Sequence, residues 1–387
     1  MIYLLLSLIF WSAIGFIVYT YLLYPLILYV IYNFKRRPPV SDIQHQPGVS
    51  IIISAYNEEN IIEEKIKNIL EINYPKEKIE VLIGLDGCSD NTPEILKKYY
   101  GNFLHVIEFP NRRGKAAVLN DLVELAKSDI IVFSDANTIY ESDAIENLVR
   151  HFHDPAIGGV CGKLELLPHN KNIGSMGESM YWRYENMLKL MEGTINTTIG
   201  ATGAIYAIRK SLYRNLPVHK IVTDDFLIPL HVVSQGQRVI FDHNAIGYEK
   251  TAENIQKEYS RKVRIGVANF VGLSEIKHLL KPRWKFIAFA LWSHKIIRWF
   301  VPFLMLLILI SNLGLVLVSE KNIFNIILLL QIVFYTTAAA GYIMDRFKIY
   351  FGIFGYPYFF VSMNWALLIG FIRFILNRKQ PTWNVMR

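Results

Sequence analysis

The sequence predicts an α/β protein, a mostly parallel sheet with helices on both faces, flanked by transmembrane helices at both ends of the chain. Three observations lead there. Strand-like and helix-like patterns alternate between residues 49 and 152, long uncharged runs lie outside that region, and the charge divides between the two parts. The 387 residues carry a net charge of +8 and are 52% hydrophobic, which excludes a disordered chain. From Pro38 to Ile276 there are 25 basic against 31 acidic residues, a net of −6; the remainder holds 16 basic and 2 acidic residues, a net of +14. A basic excess confined to apolar flanks points to a membrane surface, and nucleic acid is not expected as a partner. Cys88 and Cys161 are too few for a disulfide framework and fit a reduced compartment.

The elements follow in order. Ile2 to Phe34 contains no charged side chain and ends in Lys35-Arg36-Arg37, long enough to cross a hydrocarbon layer of about 30 Å. A cleaved signal would place its cations before the apolar run, so this segment is expected to be retained. Val49 to Ser54 reads as a buried strand, followed by a helix with Ile61, Ile62, Ile66, Ile69 and Leu70 on one face. The order then repeats: strand Ile79 to Leu85, helix Thr92 to Tyr99, strand Phe103 to Glu108, helix Lys115 to Ala126, strand Ile130 to Ser134 and helix Asp143 to Phe152. Near the end, Trp299 to Ser319, Ile323 to Met344 and Ile349 to Ile372 are again uncharged. Between Arg283 and Arg298 aromatic residues alternate with cations, the pattern of an amphipathic helix in the headgroup layer. Positive charge flanking the spans predicts a cytosolic core. Gly352, Gly355 and Pro357 are expected to break the last segment and return the basic tail to the cytosol.

Ligands of such a sheet gather at the carboxyl ends of its strands. The unusual residues lie there: Tyr56-Asn57-Glu58, Asp86 and Asp135-Ala136-Asn137. No G-x-G-x-x-G opens the first helix, and Gly114-Lys115 lacks the rest of a P-loop, so phosphates must be held otherwise. Oxygen-bearing side chains two apart in extended backbone can meet one hard divalent cation, which neutralises a diphosphate; the same spacing also makes an Asx-type turn.

Seven segments occur in an ordered series: VSIIISAYNE (49–58), LDGCSDNT (85–92), NRRGKAAVLN (111–120), DAN (135–137), GATGA (200–204), TDD (223–225) and RKVR (261–264). That series resembles the membrane-bound family 2 glycosyltransferases, with a distant similarity to processive polysaccharide synthases. The resemblance implies the GT-A type of Rossmann-like fold and an inverting reaction. It assigns Tyr56, Glu58 and Asp86 to the donor nucleotide, with Lys115 close by, although Glu58 also suits a helix N-terminus. Asp135 matches the metal-linked aspartate, and Asn137 departs from the usual second one, so the pair is expected to hold Mg2+ or Mn2+ with one less charge. Asp225 matches the base and Asp224 a neighbouring orienting acid; without the resemblance, Thr-Asp-Asp reads as a helix N-cap. Arg264 fits the arginine that holds the departing diphosphate. Arg261, Lys262 and Ile265 depart from the processive pattern, Ile265 replacing a tryptophan. Thr202 and Gly203, followed by Arg209-Lys210, resemble the acceptor-side loop, and Thr382, Trp383 and Arg387 resemble a synthase tail.

The expected activity is transfer of a sugar from a nucleoside diphosphate, by family habit uridine diphosphate, to a lipid-linked or growing saccharide acceptor at the cytoplasmic face of a membrane, in bacteria the inner one. The alternatives are a processive synthase that moves its polymer past aromatic residues such as Trp299, Tyr356, Tyr358 and Trp365, and a non-catalytic membrane scaffold with a nucleotide-binding core. The expected division is a transmembrane helix over 1–37, the catalytic domain over 38–276, an interfacial helix over 277–298, transmembrane helices over 299–376 and a cytosolic tail over 377–387.

Overall fold

Alternating burial sorts the isoleucines of the first strand between two cores. In β1 (Val49–Ala55), Ile51 and Ile53 join one hydrophobic cluster and Ile52 the other, because successive side chains leave opposite faces of a strand. The computed structural model describes residues 1–35, 41–101, 103–167, 173–251, 255–347, 349 and 352–376. β1 pairs in parallel with β2 (Ile79–Asp86) and β4 (Ile130–Ser134), and β2 with β3 (Leu104–Phe109). The eight-stranded order is β3-β2-β1-β4-β7-β6-β8-β5, completed by β5 (Ile139–Tyr140), β6 (Ile157–Leu167), β7 (Ile205–Arg209) and β8 (Arg238–Lys250). β7 runs antiparallel to both β4 and β6, and β5 antiparallel to β8, while β6 and β8 are parallel. The sheet is mostly parallel, as expected, with β7 reversing direction in its middle.

Helices cover both faces. α3 (Ile62–Glu71) and α6 (Ala144–Val149) contribute Ile62, Ile66, Ile69, Ile145 and Leu148 to the cluster that holds Ile51. α5 (Lys115–Leu125) packs Val118, Leu119 and Leu122 against Ile52, and the short α4 (Thr92–Lys97) follows β2. Tertiary partners rather than intrinsic propensity account for α3, whose isoleucines form one apolar stripe. α7 (Ile173–Ile195), α8 (Asp224–Ser234) and α9 (Ile255–Ile276) lie between the sheet and the apolar helices.

Those helices start with α1 (Ile2–Val18) and α2 (Tyr24–Phe34), joined through a π-helical turn at Tyr19–Leu23. A second such turn, Leu291–Ile296, joins α10 (Phe286–Ala290) to α11 (Ile297–Val318). α12 (Asn322–Arg346) and α13 (Gly352–Ile375) complete the set. Four helices are thus long and apolar enough to cross a membrane: Ile2–Phe34, Phe286–Val318, Asn322–Arg346 and Phe354–Ile375. Two expectations differ from this. Residues 277–284 form short 3-10 turns, and the helix beginning at Phe286 continues to Val318, so the aromatic and cationic stretch is the first part of a long helix. Gly355 and Pro357 lie inside an unbroken α13, where packing on α9 and α12 holds the backbone helical. Arg36, Arg37, Pro38, Thr382, Trp383 and Arg387 lie outside the described residues.

The π turns meet each other and α7. Tyr19 Oη and Ser293 Oγ are 2.6 Å apart, and Thr20 donates to the Ser293 carbonyl. Tyr24 donates to Glu192 of α7 at 2.7 Å, and His294 Nδ1 lies 2.7 Å from the same carboxylate. Farther along, α9 and α13 cross at glycines. A Cβ on Gly370 would stand 2.8 Å from the Val263 carbonyl oxygen and 2.9 Å from Gly266 Cα, so backbone would have to move. Gly370→Val is therefore expected to lower the unfolding midpoint of the detergent-solubilised protein by an amount equivalent to about 1–3 kcal/mol. Gly15→Ala, where a Cβ meets nothing within 4 Å, is the control; equal midpoints for the two variants would remove this contact from the account.

Candidate active site

The carboxyl end of β4 delivers Asp135, and the first residue of α5 delivers Lys115. The turn into α5 needs Gly114 at φ 89°, a conformation that glycine adopts without strain. Asp86, at the end of β2, fixes that turn by accepting the Arg113 and Gly114 backbone N–H groups at 2.6 and 2.9 Å. The Lys115 ammonium then lies 2.7 Å from Asp135 and 3.1 Å from Asp224, at the first turn of α8. Burial disfavours the Lys115 charge, but these two carboxylates outweigh it and hold the amine protonated, raised above its ordinary value. Asp224 also accepts a bond from Tyr206 Oη at 3.1 Å and is buried.

Among the described residues, Asp225 has no such ion pair. Burial first, and then the like charge of Asp224, push its carboxyl up to about 6, with Lys115 and Lys189 acting in the other direction. Its neighbour across the site is Gly203. A Cβ built there would lie 3.6 Å from an oxygen of Asp135 and 3.6 Å from an oxygen of Asp225, so both carboxylates border one open point. Gly200, at φ 107°, turns the chain so that the Ala201 N–H reaches the Asp225 carbonyl at 2.7 Å.

These residues open onto one cavity of about 580 Å³. Lys115, Asp135, Asp225, Gly203, Glu249 and Arg264 line it on the sheet side, and Trp299, Tyr356, Phe359, Phe360 and Met363 on the side of the apolar helices. Arg264 lies on α9, where burial and the adjacent Arg261 charge lower its guanidinium to about 10. Arg261 is bound by Glu178 and Glu258, and Lys262 stands 3.7 Å from Glu258 and 4.1 Å from the Tyr181 ring centroid.

Several sequence-predicted residues occupy other surroundings. Thr202 lines the cavity, but its hydroxyl is buried against the Lys189 ammonium, which donates to it. Arg209 and Lys210 lie at the far end of β7 and donate to carbonyls of residues 152, 154 and 157 and of 124 and 126 respectively. Tyr56 and Glu58 follow β1, with the Glu58 N–H donating to Thr92 and the Tyr56 ring stacked under a guanidinium. Asn137 is exposed on the turn after Asp135. Two residues were not legible as site members. Glu249 on β8 accepts a bond from Thr138, and burial together with Asp135 pushes its carboxyl up to about 7. Lys189 sits inside α7. Neither carries a local motif; only strand pairing and helix docking bring them to the acids.

Among the described residues, no group of three or more His, Cys, Asp or Glu side chains is arranged to hold a metal ion. The Asp135 carboxylate lines the cavity and is a donor of the kind a hard divalent cation takes, whereas Asn137, on the following turn, is not among the lining residues.

Residues 50–216 match the family model described as Glycosyl transferase family 2. That match covers 167 of the 387 residues and describes a family 2 glycosyltransferase domain over that part of the chain. Among proteins it resembles, the poly-beta-1,6-N-acetyl-D-glucosamine synthase of Staphylococcus aureus (strain MSSA476) is 27% identical over 241 residues, covering 60% of this chain and 57% of that one. The protein of the same name from Staphylococcus epidermidis is 24% identical over 231 residues, covering 58% and 55%. The chain thus spans little more than half the length of the relatives it matches. Mannosyltransferase PcManGT from Pyrobaculum calidifontis, solved in complex with GDP-Man and Mn2+, superposes with a TM-score of 0.73 at 18% identity, over 98% of this chain and 100% of that one. It shares the fold of the domain and its flanking helices.

A carboxyl raised to about 6 loses its proton two units above an ordinary aspartate. If Asp225 acts as a base, kcat/KM should fall as pH drops through about 6, since that limb reports the free enzyme. Lys115→Met removes a cation that favours the ionised form, so the limb should move to higher pH. Matched rate profiles of the two proteins check the shift; a limb near pH 4 in the parent would remove Asp225 as its source.

Proposed function

We propose that the chain transfers a sugar, with inversion, from a nucleoside diphosphate to an acceptor that approaches from the membrane. The observation that carries this reading is one cavity lined by Asp135, Asp225 and Arg264 together with residues of the apolar helices. In one displacement the acceptor oxygen attacks the anomeric carbon while Asp225 takes the hydroxyl proton. The bond from that carbon to the phosphate oxygen breaks, and the nucleoside diphosphate leaves. Arg264 stabilises the charge that develops on the leaving phosphates, and Lys115 compensates the acids around them. A divalent cation, Mg2+ or Mn2+, held by Asp135, supplies further neutralisation of the diphosphate when bound. Asp224, committed to Lys115 and Tyr206, orients rather than exchanges protons.

The same cavity favours an amphiphilic, lipid-linked acceptor. A hydroxyl carried by a lipid cannot leave the bilayer surface, and aromatic side chains of α13 line the same cavity as the acids. The N-terminal positive cluster and the loop before Phe286 support a cytosolic catalytic domain. A polymer-moving synthase is the second reading, favoured by the names of the Staphylococcus relatives. Of the four aromatic residues it would use, Trp299 and Tyr356 line the cavity, whereas Tyr358 is buried elsewhere and Trp365 is exposed on the outer surface of α13.

Asp225→Asn is expected to abolish transfer, a loss of 10²-fold or more by the usual scale of a general base, while nucleotide affinity changes less than about threefold. Turnover near the parent's in membranes supplied with a panel of nucleotide sugars would remove the assignment. Chelation of divalent cations should suppress transfer in the same assay, with recovery on adding Mn2+ or Mg2+; activity that persists in chelator would remove the metal. Sizing the product separates a single transfer from a polymer.

A further inference from the structure

On the wall of the cavity where α9 and α11 approach each other, two polar groups take no part in the transfer chemistry. Asn269 of α9 and Trp299 of α11 both line the cavity, although only 9% and 6% of their surfaces are exposed. Among the described residues, neither the Asn269 carboxamide nor the Trp299 indole N–H has a hydrogen-bond partner. Neither is sealed in by protein atoms, in contrast to the enclosed Trp182 indole nitrogen and Asn364 carboxamide oxygen of the same lining. Hydrogen bonds left unmade in so buried a place cost stability, so their retention calls for an occupant. The pair is tied to the turn that carries Asp225. The Trp299 ring makes T-shaped contacts with Phe226 and Phe270, centroids 5.6 and 5.9 Å apart, and Phe226 follows Asp225 in α8 as Phe270 follows Asn269 in α9. A Cβ on Gly272 would stand 3.4 Å from the Phe226 ring.

We propose that Asn269 and Trp299 bind a sugar residue of the acceptor, and so select an acceptor that already carries an uncharged sugar over a bare lipid phosphate. This rests on the transfer reading above. A carboxamide both donates and accepts, an indole N–H donates, and neither carries a charge. The hydroxyl groups of a sugar give and take hydrogen bonds and satisfy both, while its C–H groups pack on the aromatic ring. A phosphate would bring a charge that neither group neutralises, and a hydrocarbon chain would leave both polar groups unpaired. Lys220, a cation of the same lining, is held by Glu275 of α9 at 2.6 Å.

The full chain in lipid nanodiscs, with Mn2+ and whichever of UDP and GDP it binds more tightly, is titrated with octyl β-glucoside, octyl β-mannoside, octyl N-acetyl-β-glucosaminide and octyl phosphate. Uptake by empty nanodiscs is subtracted. At least one glycoside should bind the parent more tightly than octyl phosphate does. Asn269→Leu, and Trp299→Phe, which keeps an aromatic ring but loses the N–H, should each weaken that glycoside by about three- to tenfold, the worth of one neutral hydrogen bond. Octyl phosphate and nucleotide affinities should change by less than about twofold, below that worth. Should Trp299→Phe fail to fold, Asn269→Leu alone decides. No glycoside bound by the parent, octyl phosphate bound as tightly as the best glycoside, glycoside affinity unchanged in either folded variant, or an equal loss for octyl phosphate would each overturn the assignment while nucleotide binding stands. A parent that binds neither UDP nor GDP would instead remove the transfer reading, and this assignment with it.

Discussion

The Lys115 ammonium, shared between Asp135 and Asp224, is the interaction on which the site depends. Asp135, Asp224 and Asp225 converge at the end of a parallel sheet in a domain with an acidic balance. Two like charges at about 4 Å repel by roughly 4 kcal/mol at an effective dielectric of 20, so several acids cannot stay ionised there without a nearby cation. Lys115 supplies it from the first residue of a helix whose start is fixed by Asp86 and Gly114. The lysine therefore compensates two acids directly and leaves the third, Asp225, unpaired and raised to about 6.

A second set of charges ties the catalytic layer to the apolar helices. Glu185 on α7 takes Arg298 at 2.6 Å, Lys295 at 3.1 Å and His294 at 3.2 Å, while Glu192, two turns on, takes His294 and Tyr24. Burial acts to raise Glu185, yet Lys295, Arg298 and His294 together hold it well below the usual carboxylate range. Buried pairs of this kind contribute little net stability against an apolar alternative, but losing one partner strands a charge, so they fix one docking of α7 on the long helix. The two π-helical turns lie at this junction, where an extra residue per turn aims Ser293 and His294 at their partners.

The strands through β4 and the helices between them were legible because each is a run of β-branched or periodic apolar residues with turn residues after it. The ends of those strands were legible as a site for the same reason. Beyond residue 152 the local signal weakens. β7 enters the sheet antiparallel between β4 and β6, a placement set by long-range pairing rather than by any local pattern, and it carries Arg209 and Lys210 away from the acids. Glu249 and Lys189 reach the site only through strand register and helix docking. The basic aromatic stretch before Trp299 has the composition of a surface helix, yet Ser293 and His294 are buried because their partners lie on α7.

The charge partition of the sequence takes on a geometric meaning here. The cavity lining reverses the domain's acidic balance, because Asp135, Glu185, Asp224, Asp225 and Glu249 meet Arg113, Lys115, Lys189, Lys220, Arg261, Lys262 and Arg264 there, several of these cations being committed: Lys115 to Asp135 and Asp224, Arg261 to Glu178 and Glu258, Arg113 to Asp121. The long helices add further positive charge to the lining through Lys295 and Arg298, both paired with Glu185. The apolar helices therefore contribute to the electrostatics of the cavity as well as to its wall. The apolar helices and the layer of α7 to α9 close one cavity together, so its shape and the field at the acids are set by the same docking of α7 and α13.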